Sequence, residues 1–149
     1  MKTIWKILAT FFGVGFFPIA PGTLTSLIIV ILYKFFLHDL SWQLYIIIFI
    51  LFFFIGVYAS SSYAIRLKEK DPRKIVIDEA CGQLFVLFHI PDSWLPLLIG
   101  FFLFRLFDII KPYPIKKFEY LAKGWGIMID DIIAAVYAAF ILNIYLLLK

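Results

Sequence analysis

From Leu40 to Ile65 the chain runs for 26 residues without a charge. About 20 apolar residues suffice to carry a helix through the hydrocarbon core of a bilayer, so this run alone directs the chain to a membrane. Another 27 uncharged residues lie between Lys6 and Lys34, split by Gly and Pro near 13–22. A further 17 run from Ile132 to Leu148, with Asn143 the one strongly polar member. A fourth apolar region, Ala80 to Phe104, breaks at Pro91, Asp92 and Ser93. The composition agrees: 64% hydrophobic and 16% charged, against roughly 45–50% and about 25% in a soluble globule. The single Cys81 cannot form an internal disulfide, which excludes a stapled secreted fold. No removable signal peptide is expected, because Gly15, Pro18, Pro21 and Gly22 interrupt the first apolar stretch and no clear cleavage site follows. With no repeat and no low-complexity linker, residues 1–149 are expected to form one membrane-embedded domain.

The basic residues give the sidedness. Ten of the fourteen Lys and Arg lie in two segments, 66–74 and 105–123, and cytoplasmic loops carry the Lys/Arg excess. Two basic loops on one side require an even number of crossings between them. The break at 91–93 supplies the turn, so 80–104 reads as part of a helical hairpin with arms of roughly 76–90 and 94–110. At 1.5 Å per residue each arm is about 22–25 Å long, thin for a bilayer, so the hairpin is re-entrant or buried among other helices. The expected fold is all-α and polytopic: a short amphipathic or loop entry at 1–23, helices at 24–37, 41–65 and 126–148, and the hairpin. That makes about three long membrane helices and four to five full or partial crossings. Lys34 falls near the outer end of its helix and can snorkel. Trp5, Trp42, Trp94 and Trp125 stand near segment ends, as an aromatic belt requires.

Five of the ten acidic residues border apolar helices: Asp78, Glu79, Asp108, Asp130 and Asp131. An Asp at a helix centre costs about 2.5–3.5 kcal/mol on the insertion scale, so compensation is needed. In the topology above, all five fall at cytoplasmic helix ends and can converge on one site. Close carboxylates repel unless a cation sits among them. The only histidines, His38 and His89, are expected far apart and near the outer side, so the ligation is all-oxygen and suits a hard cation such as Mg²⁺. Helical neighbours point about 100° apart. One of Asp130 and Asp131 is therefore expected to ligate while the other supports or reaches a second ion, and the same holds for Asp78 and Glu79. The bland alternative is that these acids pair with nearby Lys and Arg as interfacial anchors; five converging acids favour function.

Two further segments bear on an anion. In GVGFFPIAPGTLTS (13–26), Gly and Pro delay the helix to about residue 23, so Thr23 and Ser26 stand at a helix start, where free N–H groups favour negative charge; an ordinary cap is the simpler reading of that pattern alone. In FRLFDIIKPYPIKK (104–117), Arg105, Asp108 and Lys111 recur every third residue and share roughly one face before Pro112 and Pro114 stop the helix. Two cations beside an acid suit a phosphate and its metal, whereas Lys116 and Lys117 read as interfacial snorkelling. A cysteine phosphatase is excluded because Leu87 stands where its Arg is needed, and no DxDxT or GxSxG segment occurs. Cys81 and the serines at 60–62 read as small packing residues.

The blocks PIAPGTLTS (18–26), DPRKIVIDEACGQ (71–83), FRLFDIIKPYPI (104–115) and GIMIDDIIAAVYA (126–138), in that order, together resemble the phosphatidylglycerophosphatase A family. The resemblance implies a bacterial inner-membrane lipid phosphatase that hydrolyses phosphatidylglycerophosphate to phosphatidylglycerol and inorganic phosphate with Mg²⁺, its active site facing the cytoplasm. It implies site acids at Asp71, Asp78, Glu79, Asp108, Asp130 and Asp131, with Asp78, Glu79, Asp108 and Asp131 as the metal set. Arg105 and Lys111 are the implied basic contacts, and Pro21, Gly22, Thr23 and Ser26 the implied loop contacts. The rival readings are a small cation- or proton-coupled transporter using its acids as ion ligands, and a non-catalytic subunit of a membrane complex. The first should carry its acids near mid-membrane, and the second needs no acid cluster.

Overall fold

The computed structural model describes residues 2–69, 72–118, 121 and 124–149. Among these residues every regular element is helical: α1 (Lys2–Ala9), α2 (Pro21–Leu32), α3 (Trp42–Leu67), α4 (Ile77–Leu87), α5 (Trp94–Ile110), α6 (Ile115–Phe118) and α7 (Gly124–Leu147). A short 3₁₀ turn, Val14–Phe16, lies between α1 and α2, and a π turn, Tyr33–Leu37, prolongs α2.

Local chemistry sets most of these limits. After α1 the chain reverses through Phe11, Phe12 and Gly13, all with positive φ. Helix α2 starts at Pro21, three residues before the expected start at 24: a proline in the first helical position already has the right φ, and its missing N–H would be unpaired there anyway. The Ser41 hydroxyl caps α3 by accepting from the Leu44 N–H. Both α3 and α5 end on a left-handed lysine, Lys68 and Lys111, the second directly before Pro112. Where arms of 76–90 and 94–110 are expected, the chain has α4 over 77–87, shorter than expected, and α5 over 94–110.

Among the described residues two helices are long and apolar enough to cross a bilayer, α3 with 26 residues and α7 with 24. These are about 39 and 36 Å long at 1.5 Å per residue. The expected third long helix is not of that class: α2 with its π turn occupies only residues 21–37, about 25 Å. Helix α5, with 17 residues, reaches about 26 Å, and α4, with 11, only about 16 Å.

Helix α4 is the hub. It packs against α2, α3, α5 and α7, and all its residues except Glu79 and Phe85 are buried. Its small residues admit the close neighbours. At Gly82 an added Cβ would lie 2.5 Å from the Phe104 ring and 3.2 Å from the Asp131 carbonyl oxygen, so α5 and α7 close on bare backbone there. Around the hub lie Val30, Val86, Leu87, Leu97, Phe104 and Leu142, all fully buried. The outward faces are apolar as well: Ile47, Leu51 and Phe54 of α3, Phe102 and Ile109 of α5, and Phe140 and Ile144 of α7 are all exposed. Such a surface suits lipid rather than water.

The end of the bundle at the hairpin turn is polar. Tyr33 donates to the Ile90 carbonyl and Tyr45 to the Leu84 carbonyl, both at 2.7 Å, answering acceptors that α4 leaves open as it stops. Lys34 pairs with Asp92 in the turn, and this bond holds the Asp92 carboxyl below its usual range. Its ammonium also lies 5.7 Å from the Trp94 ring centre. His38 and His89, distant in sequence, line one small recess at this end. Trp42, Trp94 and Trp125 begin or nearly begin their helices and are partly exposed, as expected of a belt.

Candidate active site

The first turn of α4, the last turns of α5, the N-terminus of α2 and the second turn of α7 meet at one cavity of about 570 Å³. Asp78, Glu79, Asp108, Asp130 and Asp131 all line it, together with Thr23, Arg105 and Lys111.

The five acids divide by partner. Asp78, Glu79 and Asp131 each place one carboxylate oxygen within 4.8 Å of the other two. Glu79 Oε2 and Asp131 Oδ2 are buried and have no hydrogen-bond partner among the described residues. Asp108 instead faces Arg105, whose Nη1 lies 2.8 Å from its Oδ2 and 3.9 Å from Glu79 Oε1. Asp130 receives Lys111, with Nζ 2.5 Å from Oδ2, while its Oδ1 accepts the Asp131 N–H at 3.0 Å. The expected divergence of neighbours is therefore seen in α7, where Asp131 joins the cluster and Asp130 turns to Lys111. In α4 the outcome differs: Asp78 and Glu79 both reach the cluster, and Glu79 has one methylene more with which to span the 100° step.

Helix α2 enters the site backbone first. A Cβ on Gly22 would fall 1.9 Å from Glu79 Oε1, so a larger residue there would push the carboxylate away from the first turn of α2, where the helix dipole favours it. Thr23 lines the cavity one position further on. Ser26 does not: it is fully buried in α2, and its hydroxyl finds no partner among the described residues. Asp71 lies outside the described residues.

Two cations were missed in the reading from sequence. Arg73 and Lys74 line the same cavity from the loop that leads into α4, and both are exposed. That loop is held in place by Val76 N–H donating to the Ala9 carbonyl at 3.0 Å. The available signal is the position of RK four to six residues ahead of Asp78 and Glu79, a charge that marks sidedness equally well. Phe16 and Phe17 add an apolar lip, with the Lys74 ammonium 5.9 Å from the Phe16 ring centre.

Three clustered carboxylates with orphaned buried oxygens form an all-oxygen donor set that fits a hard divalent cation. A cavity holding such a set beside cations and a helix N-terminus suits a phosphate ester.

The chain has close relatives. Residues 7–146 match the family model described as phosphatidylglycerophosphatase A. The phosphatidylglycerophosphatase A of Escherichia coli (strain K12) is 40% identical over 144 residues, covering 95% of this chain and 83% of that protein. That of Haemophilus influenzae is 42% identical over 137 residues, covering 91% and 84%. A Bacteroides thetaiotaomicron protein, provisionally named a phosphatidylinositol-3-phosphatase, is 38% identical over 140 residues, covering 89% and 87%. No solved structure matches the chain.

Proposed function

The chain belongs to the phosphatidylglycerophosphatase A family, and from that premise we propose that it hydrolyses phosphatidylglycerophosphate to phosphatidylglycerol and inorganic phosphate in the cavity beside α4. Asp78, Glu79 and Asp131 hold Mg²⁺ in this reading, with Asp108 close by on Arg105. The observation that carries it is the convergence of these carboxylates, two with unsatisfied buried oxygens, on a cavity that also holds cations.

The reaction breaks the bond between phosphorus and the terminal glycerol oxygen, forms one from phosphorus to a water oxygen, and leaves the proton on the released alcohol. A bound Mg²⁺ supplies offset of the phosphate charge and a more acidic water. The rest falls to the chain itself. The Gly22 and Thr23 N–H groups stand in the first turn of α2, where no helical carbonyl reaches them, and offer donors to phosphate oxygens. Arg105, engaged through Nη1, keeps a buried Nε without an acceptor among the described residues. Asp130, held by Lys111, orients the turn of α7 that presents Asp131. Exposed Ile109 and Ile19 near the mouth suit acyl chains that remain in the bilayer.

In the membrane, α3 and α7 cross fully, α2 and the hairpin are the shorter crossings or partial crossings, and the cavity faces the cytoplasm of a bacterial inner membrane. Arg73 and Lys74 from one basic segment and Arg105 and Lys111 from the other line the same cavity, which supports an even number of crossings between them. Single cysteines replacing Lys68 and Lys117, in a Cys81→Ser background, should both be labelled from the cytoplasmic side only. Labelling from opposite sides would overturn the topology.

The Bacteroides relative is named for a lipid of the same plan, a phosphomonoester on a headgroup joined to diacylglycerol through a phosphodiester. The transporter alternative finds no support among the relatives. Purified protein given phosphatidylglycerophosphate should release inorganic phosphate with Mg²⁺ and stop when the cation is chelated. Unchanged release in chelator would remove the metal site, and no release under any divalent cation would remove the assignment.

A further inference from the structure

The cations of the cavity fall into two groups. Arg105 and Lys111 sit deep and are already engaged by Asp108, Glu79 and Asp130. Arg73 and Lys74 stand at the rim, both exposed, and neither makes an ion pair with a described residue. Charge balance within the acid cluster does not explain them. The rim pair is held on a fixed backbone: Gly15 packs so tightly on this loop that an added Cβ would lie 2.0 Å from the Lys74 carbonyl oxygen. Beside the pair is the apolar lip of Phe16 and Phe17, half exposed. The cavity therefore combines a buried acid cluster, exposed positive charge at Arg73 and Lys74, and the apolar surface that adjoins it, with the Lys74 ammonium 5.9 Å from the Phe16 ring centre.

A lipid carrying two phosphates has the matching order. Its terminal phosphomonoester is dianionic near neutral pH, its phosphodiester is a monoanion one glycerol unit away, and its acyl chains follow. We propose that Arg73 and Lys74 form a second anion subsite that binds the phosphodiester of the substrate, so that the enzyme selects lipids whose cleavable phosphate is separated from diacylglycerol by a second phosphate. This inference rests on the lipid phosphatase reading above. A lipid with its single phosphate directly on diacylglycerol leaves the subsite empty when that phosphate is at the acid cluster. Arg suits this role because its planar fork can hold two phosphate oxygens at once, while Lys adds a point charge.

The test is a selectivity ratio. The Arg73→Gln/Lys74→Gln variant is compared with the unmodified protein in mixed micelles, using phosphatidylglycerophosphate and phosphatidic acid as substrates. A Lys116→Gln/Lys117→Gln variant removes the same charge from α6, away from the cavity lining. The ratio of kcat/KM for the two lipids should fall by roughly tenfold or more in the rim variant, the scale of one lost charge-assisted contact. The fall should appear mainly in KM for the two-phosphate lipid, and the α6 variant should keep the unmodified ratio. Glycerophosphoglycerol, a soluble phosphodiester, should compete with substrate in the unmodified protein and at least several-fold more weakly in the rim variant. Equal losses on both lipids, or an equal shift in the α6 variant, would make the pair a general surface charge and overturn the subsite. Unmodified protein that releases no phosphate from phosphatidylglycerophosphate would overturn the functional reading, and the subsite with it. Normal turnover with an unchanged ratio in the rim variant would overturn the subsite alone.

Discussion

Asp131→Asn is expected to abolish phosphate release, by on the order of 10³-fold or more, beyond the 10²–10³ that one lost electrostatic contact costs, while the protein still folds into detergent micelles. The amide keeps the shape of the carboxylate and removes the charge that a cation among Asp78, Glu79 and Asp131 requires. Relief of repulsion within the cluster should leave thermal stability unchanged or raised, because three close carboxylates oppose one another when no cation is bound. The same direction holds for Asp78→Asn. Phosphate release at the unmodified rate from Asp131→Asn would move the metal to other ligands.

Lys111→Ala should have the next largest effect, through stability as well as rate. Its ammonium lies 2.5 Å from an Asp130 carboxylate that is almost wholly buried, and removing one partner of a buried pair takes that counter-charge away from the other. A loss of about 3 kcal/mol is expected, the low end for such pairs, because the Lys111 side chain keeps 19% of its exposure. Read from sequence alone, Lys111 is a phosphate contact. A double-mutant cycle with Asp130→Asn separates the two roles. If Lys111 acts by neutralising Asp130, its removal costs little more in the Asp130→Asn background. If it contacts phosphate, the rate falls by the same factor in both backgrounds, roughly 10- to 150-fold for a charged hydrogen bond.

Lys111 also illustrates what a sequence reading could and could not reach. Helix limits were legible because an ionised group is expensive in hydrocarbon, so Arg66 and the charges after Ile110 mark helix ends to within a few residues. The convergence of the acids followed from the same arithmetic of sidedness. The pairing inside the cluster did not. Asp130 and Asp131 are identical in type and adjacent in chain, and only the rotation of α7 decides that one meets Lys111 and the other Glu79. The reach of Glu79 depends on a side-chain bend against Gly22, a contact between helices 57 positions apart. The rim cations were hidden by an ambiguity of meaning, since a basic loop that marks the cytoplasmic side looks the same as one that binds an anion.

The helices packed around α4 differ in length, and this bears on the surrounding lipid. On the side of α2 and α5 the apolar wall of the bundle is about 25 Å high, and on the side of α3 and α7 it is about 36 to 39 Å. No flat slab with a hydrocarbon thickness of about 30 Å matches both. A bundle of this shape in a bilayer is expected to tilt its long helices or to thin the leaflet beside α2 and α5, at a modest energy per ångström of hydrophobic mismatch. The N-terminus of α2 and the last turns of α5 both line the cavity. Thinning there would draw headgroups inward, so that the curvature of the membrane would close part of the distance between a lipid phosphate and the acids on α4 before any protein group touches it.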